Sequence, residues 1–497
     1  MSSEGSADRS LQGLGADSRQ VAEEVLAEWR CPGLALGLIT EKGPVTVSLG
    51  HADLDAQIEV QPDTIFALGS ATKAFTALGV ALLIDRGALD WDQPIRNYLT
   101  DYRMADPFAT ERMTARDLLT HRSGLPRHDL VWYRSPLSRR EIMNRLQYLE
   151  PTRDFRTAFQ YQNLMYMTAG CLIEEITGTT WEDFTTNEIA KPLGLAHTTC
   201  FAPEQDGGAA RPYAKANGKF VSDEPLLLGA IAPAGSVWST VEDMLRWVGF
   251  QMTGMDGNGA PLISDRILGE LTSPQVLLGR AGDIASILTP LDEAEEVSYS
   301  TYGMGWFIHG YRGRKLVHHG GFVDGFSSYV AYVPQERLGV VVLCNCNESP
   351  VPIVTSLSII DRVLGYRSAN WVERMKRVMP PDVRGQAAIP PGSEEELPAA
   401  SSVSSDEFVG NYFNPGYGKL LVTADEYGLV GDYHGIALRM SHLAHDIFQL
   451  DPDATPLTTV PWPRRIAFVR DLEGTVVGLQ IVMETACSAI HFRRRAP

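Results

Sequence analysis

Ser70 and Lys73 stand three residues apart at the head of an apolar stretch, in the run Ser70-Ala71-Thr72-Lys73. On a helix that spacing puts both side chains on one face, within reach of each other. A lysine held in a dry pocket loses proton affinity and can take the proton of a neighbouring hydroxyl. A serine activated this way is a nucleophile that needs no histidine base, and the chemistry it serves is acyl transfer through a covalent intermediate. The chain has 31 serines and eight lysines, and only Ser70 stands three places before a lysine. Taken alone, the pair reads equally well as an exposed serine and a solvated lysine, so it needs partners elsewhere.

The element that must carry the pair is a helix. Phe75, Leu78, Leu82 and Leu83 form an apolar stripe at helical spacing, Arg86-Gly87 supplies a stop, and Pro94 forbids continuation. Ser70 then falls in the first turn, where free backbone N–H groups favour developing negative charge. A second element, Tyr161-Gln162-Asn163, places a phenol and an amide on a short loop before a helix over 164–178. A tyrosine can relay a proton, and an asparagine amide can hold a lysine and a substrate carbonyl together. Tyr412-Phe413-Asn414 repeats the Y-x-N pattern but lies in a Gly/Pro-rich turn of the C-terminal region. A third element, His318-His319-Gly320-Gly321-Phe322, ends a strand with two glycines that let a backbone approach a ligand closely. Paired histidines there, and His442 with His445, suggest a metal; adjacent strand residues face opposite ways and no third ligand is evident, so no metal or cofactor is expected. No G-x-S-x-G elbow, Walker sequence or G-x-G-x-x-G after a strand occurs.

The whole chain, 497 residues with net charge −18, is long enough for two or three domains and argues against a nucleic-acid partner. No polybasic run would dock a membrane, and Arg493-Arg494-Arg495 reads as a solvated tail. The six cysteines suggest no disulfide framework. Cys344 and Cys346, in a strand-like run, are expected on opposite faces as reduced, packed thiols. No secretory signal and no apolar run of membrane-spanning length is visible, so a cytoplasmic location is expected.

Residues 1–17 read as disordered, and a helix is expected over 18–29. Runs at 34–39 and 45–49 predict a hairpin, helical signal dominates from 71 to about 250, and strand signal returns at 305–308, 315–318, 327–333 and 338–343. Strands at both ends with helices between predict an α+β catalytic domain over 18–378. A Pro/Glu/Ser-rich linker follows at 379–404, and 405–497 reads as about eight short strands of an antiparallel barrel.

In the order S-x-x-K, Y-x-N, H-x-G, these motifs resemble the serine β-lactamase and penicillin-binding-protein superfamily. The resemblance is to its class C β-lactamase-like branch, which includes family VIII esterases, D-aminopeptidases and transacylases. Leu118-Leu119-Thr120-His121-Arg122-Ser123-Gly124-Leu125-Pro126, Pro192-Leu193-Gly194-Leu195, Ala234-Gly235-Ser236-Val237-Trp238-Ser239-Thr240, Tyr302-Gly303-Met304-Gly305-Trp306 and Asp324-Gly325-Phe326-Ser327-Ser328 also match the branch. The resemblance covers about residues 20–367, and 405–497 looks like the lipocalin-like module often fused to it. It implies an antiparallel sheet flanked by a helical region, with Ser70 as nucleophile and Lys73 and Tyr161 as base and proton relay in either assignment. It further implies that Asn163 orients Lys73 and substrate, and that the N–H groups of Ser70 and Phe322 form an oxyanion hole. His319-Gly320-Gly321 takes the place of the family's Lys-Thr-Gly. A mostly neutral imidazole binds a carboxylate more weakly than lysine, which favours esters, amides or small acyl donors over β-lactams. The expected function is hydrolysis of an ester or small amide or peptide. An acyltransferase or macrocyclising thioesterase using the same residues is the alternative, and a penicillin-recognising sensor without turnover a third. The expected partner is a small-molecule acyl substrate, with homo-oligomerisation left open.

Overall fold

The computed structural model describes residues 10–204, 208–278, 291, 294–367, 369–378, 405–452, 457, 458 and 460–495. The 379–404 linker lies outside them. One nine-stranded antiparallel sheet organises the catalytic region. Its strands are β1 (Gly33–Thr40), β2 (Gly43–Asp53), β3 (Ile58–Glu59), β4 (Val276–Leu277), β5 (Val297–Tyr302), β6 (Phe307–Tyr311), β7 (Arg314–Val323), β8 (Phe326–Val333) and β9 (Leu338–Cys344), in spatial order 3-2-1-9-8-7-6-5-4. The β1–β2 hairpin turns at Glu41-Lys42 with Thr40 opposite Gly43. Pairing of β1 with β9, six residues long from Leu34↔Cys344 to Ile39↔Gly339, closes the sheet across the whole chain. Both faces of the sheet are covered, so its central strands are buried continuously rather than at alternate positions.

Helix α1 (Leu11–Trp29) packs on one face with α5 (Val351–Val363). Residues 11–17 are therefore helical, against the expectation of disorder. Ser10 caps the helix by accepting from Gly13 N–H, and Leu14 is buried; composition alone hid these two signals. On the other face lie α2 (Lys73–Asp85), α3 (Leu164–Thr177) and α4 (Val241–Thr253). Helix α2 is buried all round from Lys73 to Leu83, not along one stripe, because α3, α4 and the helix at Asp265–Leu271 pack around it. Strand β6 starts at Phe307 rather than Gly305, and β5 was not anticipated.

Eight antiparallel strands, from Gly410–Asn414 to Ile490–Arg495, form a closed barrel with neighbours in chain order. The first and last strands pair at Asn411↔Arg495, Tyr412↔Arg494 and Phe413↔Arg493. The three arginines are thus the closing strand, not a tail, and the Arg495 guanidinium lies 3.6 Å from the Phe413 ring centroid. Barrel and helical region share one continuous apolar core. Cys344 and Cys346 do not face opposite ways as expected: residues two apart in a strand share a face, and both thiols hydrogen-bond to Cys31, whose proton affinity burial raises. All six cysteines are free. His442 Nε2 meets the His445 carbonyl at 2.7 Å, and no metal-competent cluster occurs among the described residues.

Candidate active site

Ser70 lies in a single tight turn, Gly69–Thr72, that runs straight into α2. The turn is pressed against β7. A Cβ on Gly69 would come within 2.8 Å of the Phe322 backbone. One on Gly321 would sit 1.9 Å from Leu68 O and 2.9 Å from the Ser70 nitrogen. Only glycine lets two backbones approach this closely, and the result sets the Ser70 N–H beside Gly321-Phe322. Ser70 is partly exposed; Lys73, one turn on, is fully buried.

Lys73 Nζ donates to Asn163 Oδ1 (2.8 Å) and to the Ala234 carbonyl (2.9 Å), and faces Ser70 Oγ at 3.1 Å. Asn163 Nδ2 donates to Asp129 Oδ1 at 3.1 Å. A carboxylate only accepts, so this contact orients the amide with its oxygen on Lys73. Two lysine N–H bonds are therefore committed to oxygens that cannot donate. In the neutral amine the remaining position is a lone pair aimed at the serine hydroxyl. Burial pushes the lysine's proton affinity well down, the Arg127 charge adds to the effect, and Asp129 opposes it. Asn163 precedes α3 but its side chain caps nothing; Gln162 Oε1 takes the Met165 N–H instead, at 3.1 Å.

The Tyr161 ring centroid is 4.9 Å from Lys73 Nζ and 4.2 Å from the His121 ring. Its buried hydroxyl makes no hydrogen bond of normal geometry, although the nearby Ser70 hydroxyl offsets part of the rise in its proton affinity. Burial dominates, so the phenol keeps its proton well above the ordinary tyrosine range.

His319 is fully buried, with Nδ1 2.6 Å from the Gly320 carbonyl and Nε2 3.3 Å from the Tyr302 hydroxyl. The carbonyl requires the proton on Nδ1, which leaves Nε2 to accept from Tyr302. Burial and the Lys73 charge push its pKa down to about 3. The side chain expected to contact substrate is therefore neutral, with both nitrogens already engaged inside the protein.

The family model described as Beta-lactamase matches residues 19–359. The chain belongs to the Beta-lactamase family. Among curated relatives, the unguisins hydrolase ungD' of Aspergillus campestris is 27% identical over 438 residues, covering 83% of this chain and 78% of the relative. Protein flp of Staphylococcus aureus is 26% identical over 350 residues, covering 68% and 65%. Two solved structures share the fold. The octameric penicillin-binding protein homologue from Pyrococcus abyssi has a TM-score of 0.60 at 21% identity over 96% of this chain and 99% of its own. A class C beta lactamase from Rhodobacter sphaeroides gives 0.56 at 23% over 70% and 99%.

Within this Beta-lactamase-family site, several residues carry geometry that the motifs did not assign. His121, inside the Leu118–Pro126 run, has φ +55° and accepts the Gln162 N–H on Nδ1 (3.2 Å), pinning the Tyr161–Asn163 loop. Asp129 and Arg127 flank His128, itself at φ +47°. That unfavourable backbone is held by the barrel. The His128 N–H donates to Glu484 Oε2 (2.8 Å), its Nδ1 meets the Tyr417 hydroxyl (2.7 Å), and its Nε2 meets the Glu150 carbonyl (3.2 Å). Tyr433 donates to Leu130 O (2.9 Å) and His434 Nδ1 contacts Tyr133 O (3.0 Å). The barrel thus fixes the segment that orients Asn163. Ala234, in the quoted Ala234–Thr240 run, contributes only its carbonyl, which no side-chain pattern reveals. Among the described residues no helix is long and apolar enough to cross a membrane.

Proposed function

We propose that the protein is a serine hydrolase that cleaves an ester or small amide or peptide through an acyl-enzyme on Ser70. The observation that carries this is the set of bonds around Lys73. With two N–H groups committed to Asn163 and Ala234, the neutral amine presents its lone pair to Ser70 Oγ at 3.1 Å. This favours Lys73 over Tyr161 as base, since the buried phenol holds its proton. Lys73 takes the serine proton as Oγ bonds to the substrate carbonyl carbon. The oxyanion forms between the N–H groups of Ser70 and Phe322. Tyr161 passes a proton to the departing oxygen or nitrogen as the old bond breaks and is reprotonated from Lys73. Water then attacks the acyl-enzyme ester, losing one proton to Lys73, which passes it to Ser70 Oγ as the Oγ–acyl bond breaks and the acid leaves.

The relative named for hydrolysing unguisins supports water as the acceptor. The test is intact-protein mass spectrometry with p-nitrophenyl esters, D- and L-amino-acid amides and a β-lactam, with and without added amines. The expected result is an acyl adduct on Ser70 that decays to acid, abolished by Ser70→Ala. Aminolysis products dominating in excess amine would make the protein a transferase. A stable adduct without turnover would make it a sensor.

A further inference from the structure

A cavity of about 510 Å³ lies where the catalytic region meets the barrel. One wall comes from the stretch between Arg134 and Arg145, the other from the barrel strand that begins at Gly418 and the turn at 432–435. Its size falls in the range of about 300–1,000 Å³ usual for small-molecule sites. Arg134, Arg145 and Lys419 line it against a single carboxylate, Asp432, which is turned to its own loop and accepts the Gly435 N–H at 3.1 Å. Among the described residues none of the three cations has an ion pair. Arg145 is half-buried, and its hydrogen bond is a long one, 3.4 Å from Nη1 to the Gly416 carbonyl. Gly418, at φ +88°, makes room for the guanidinium: a Cβ there would stand 2.7 Å from Nη1. Loss of water lowers the proton affinity of Arg145, with Tyr433 and Glu141 opposing the effect. Taking a guanidinium out of water without a carboxylate beside it costs free energy that a bound anion restores.

On a chain of net charge −18, three unpaired cations around one cavity set up the opposite field locally. A carboxylate, with one charge and two oxygens, answers only part of that set. A phosphate monoester carries about 1.5 to 2 negative charges at pH 7 and presents three strong acceptor oxygens. Arginines grip such a group through paired N–H bonds, and a lysine adds a point charge. Pro136, Leu137 and Leu421 line the same cavity and offer an apolar surface to an organic body. We infer that this cavity binds a small organic phosphate monoester, with its phosphate among Arg134, Arg145 and Lys419 and its apolar body on Pro136, Leu137 and Leu421. The site is independent of the Ser70 chemistry. Its walls belong to the junction where Tyr433 meets the Leu130 carbonyl and His434 the Tyr133 carbonyl, so an occupant bridges the barrel and the catalytic segment.

The test is isothermal titration calorimetry of the full chain with phenyl phosphate, and with benzoate and inorganic phosphate for comparison. The expected result is saturable binding of one phenyl phosphate per chain, tighter than either comparison ligand. Arg145→Gln and Lys419→Gln should each weaken it by about ten-fold, the scale of a lost hydrogen bond to a charged group. Arg127→Gln, beside Ser70, should leave it unchanged. Circular dichroism checks the fold of Arg145→Gln; Lys419 is exposed and makes no hydrogen bond among the described residues, so Lys419→Gln decides if the arginine variant misfolds. No binding at millimolar phenyl phosphate overturns the inference, as does affinity matched by benzoate or inorganic phosphate. So does affinity untouched by Lys419→Gln, or lost in Arg127→Gln, which would put the anion beside Ser70. Co-sedimentation with phosphatidate vesicles separates the two sources of such an ester. Capture that Lys419→Gln abolishes identifies a lipid headgroup; phenyl phosphate binding without capture identifies a soluble ester, and either supports the site.

Discussion

The Asn163 amide is held at both ends, its nitrogen on Asp129 Oδ1 at 3.1 Å and its oxygen on Lys73 Nζ at 2.8 Å. Asp129 never touches Ser70 in these bonds, yet it decides which face of the amide meets the lysine. Asp129→Asn can donate as well as accept and so frees the amide to flip. The expected outcome is a loss of about 10- to 100-fold in kcat/KM, the scale of a misplaced reacting group. Steady-state kinetics on a p-nitrophenyl ester would check it, and wild-type rates would show that the contact is dispensable.

As the proposed base, Lys73 acts only when neutral. Its lowered proton affinity means that turnover rises with pH through the lysine's own titration, at a pH below the ordinary lysine range. Lys73→Arg keeps the charge and cannot lose its proton. It should cost about a hundred-fold or more at every pH and abolish the rising limb. A pH–rate profile unchanged in shape in the variant would assign the base elsewhere.

Gly321→Ala drives a methyl group into Leu68 O and the Ser70 nitrogen. Either β7 or the Ser70 turn must move. We expect a stability loss of about 1–3 kcal/mol from overpacking and a larger effect on rate, about 100-fold in kcat. Thermal melts and kinetics on one preparation separate the two.

Buried neutral histidines make the fold acid-sensitive. Burial holds His309 at about 4 and His319 at about 3, against an ordinary value near 6.5. Below about pH 6.5 the unfolded chain takes up protons that the folded one refuses. Stability therefore falls as pH drops from about 6.5 towards 4, by up to about 1.4 kcal/mol per pH unit for each such group. Urea midpoints measured from pH 7.5 to 4.5 should decline, and more gently in His309→Gln. A midpoint slope identical in the variant would remove His309 from this account.

The barrel's grip on the catalytic segment is tested at Glu484, which accepts the His128 N–H. Glu484→Ala leaves that N–H without its partner beside a left-handed residue. The expected loss is about 5- to 30-fold in kcat/KM, equivalent to about 1–2 kcal/mol. Activity equal to wild type would mean that the segment holds its shape unaided.

Much of the architecture was legible because it is written in local patterns. The β1–β2 hairpin, the eight barrel strands and the helix after Asn163 each carry periodicity and turn residues within a dozen positions. What escaped was governed by neighbours distant in the chain. The Arg493–Arg495 strand looks like a charged tail until Asn411–Phe413 pairs with it. Helix α1 was extended to Leu11 by one cap and one buried leucine.

The sequence by itself determined the covalent chemistry it could attempt: Ser70 and Lys73 lie one helical turn apart, and backbone geometry alone brings them together. Only the tertiary structure decided the rest. It delivered the Asn163 amide and the Ala234 carbonyl to the lysine, set the Tyr161 ring beside it, and buried His319 with both ring nitrogens bonded inside the protein. None of these has a local signal, because burial, hydrogen-bond partnership and proton affinity are properties of the surroundings and not of the residue.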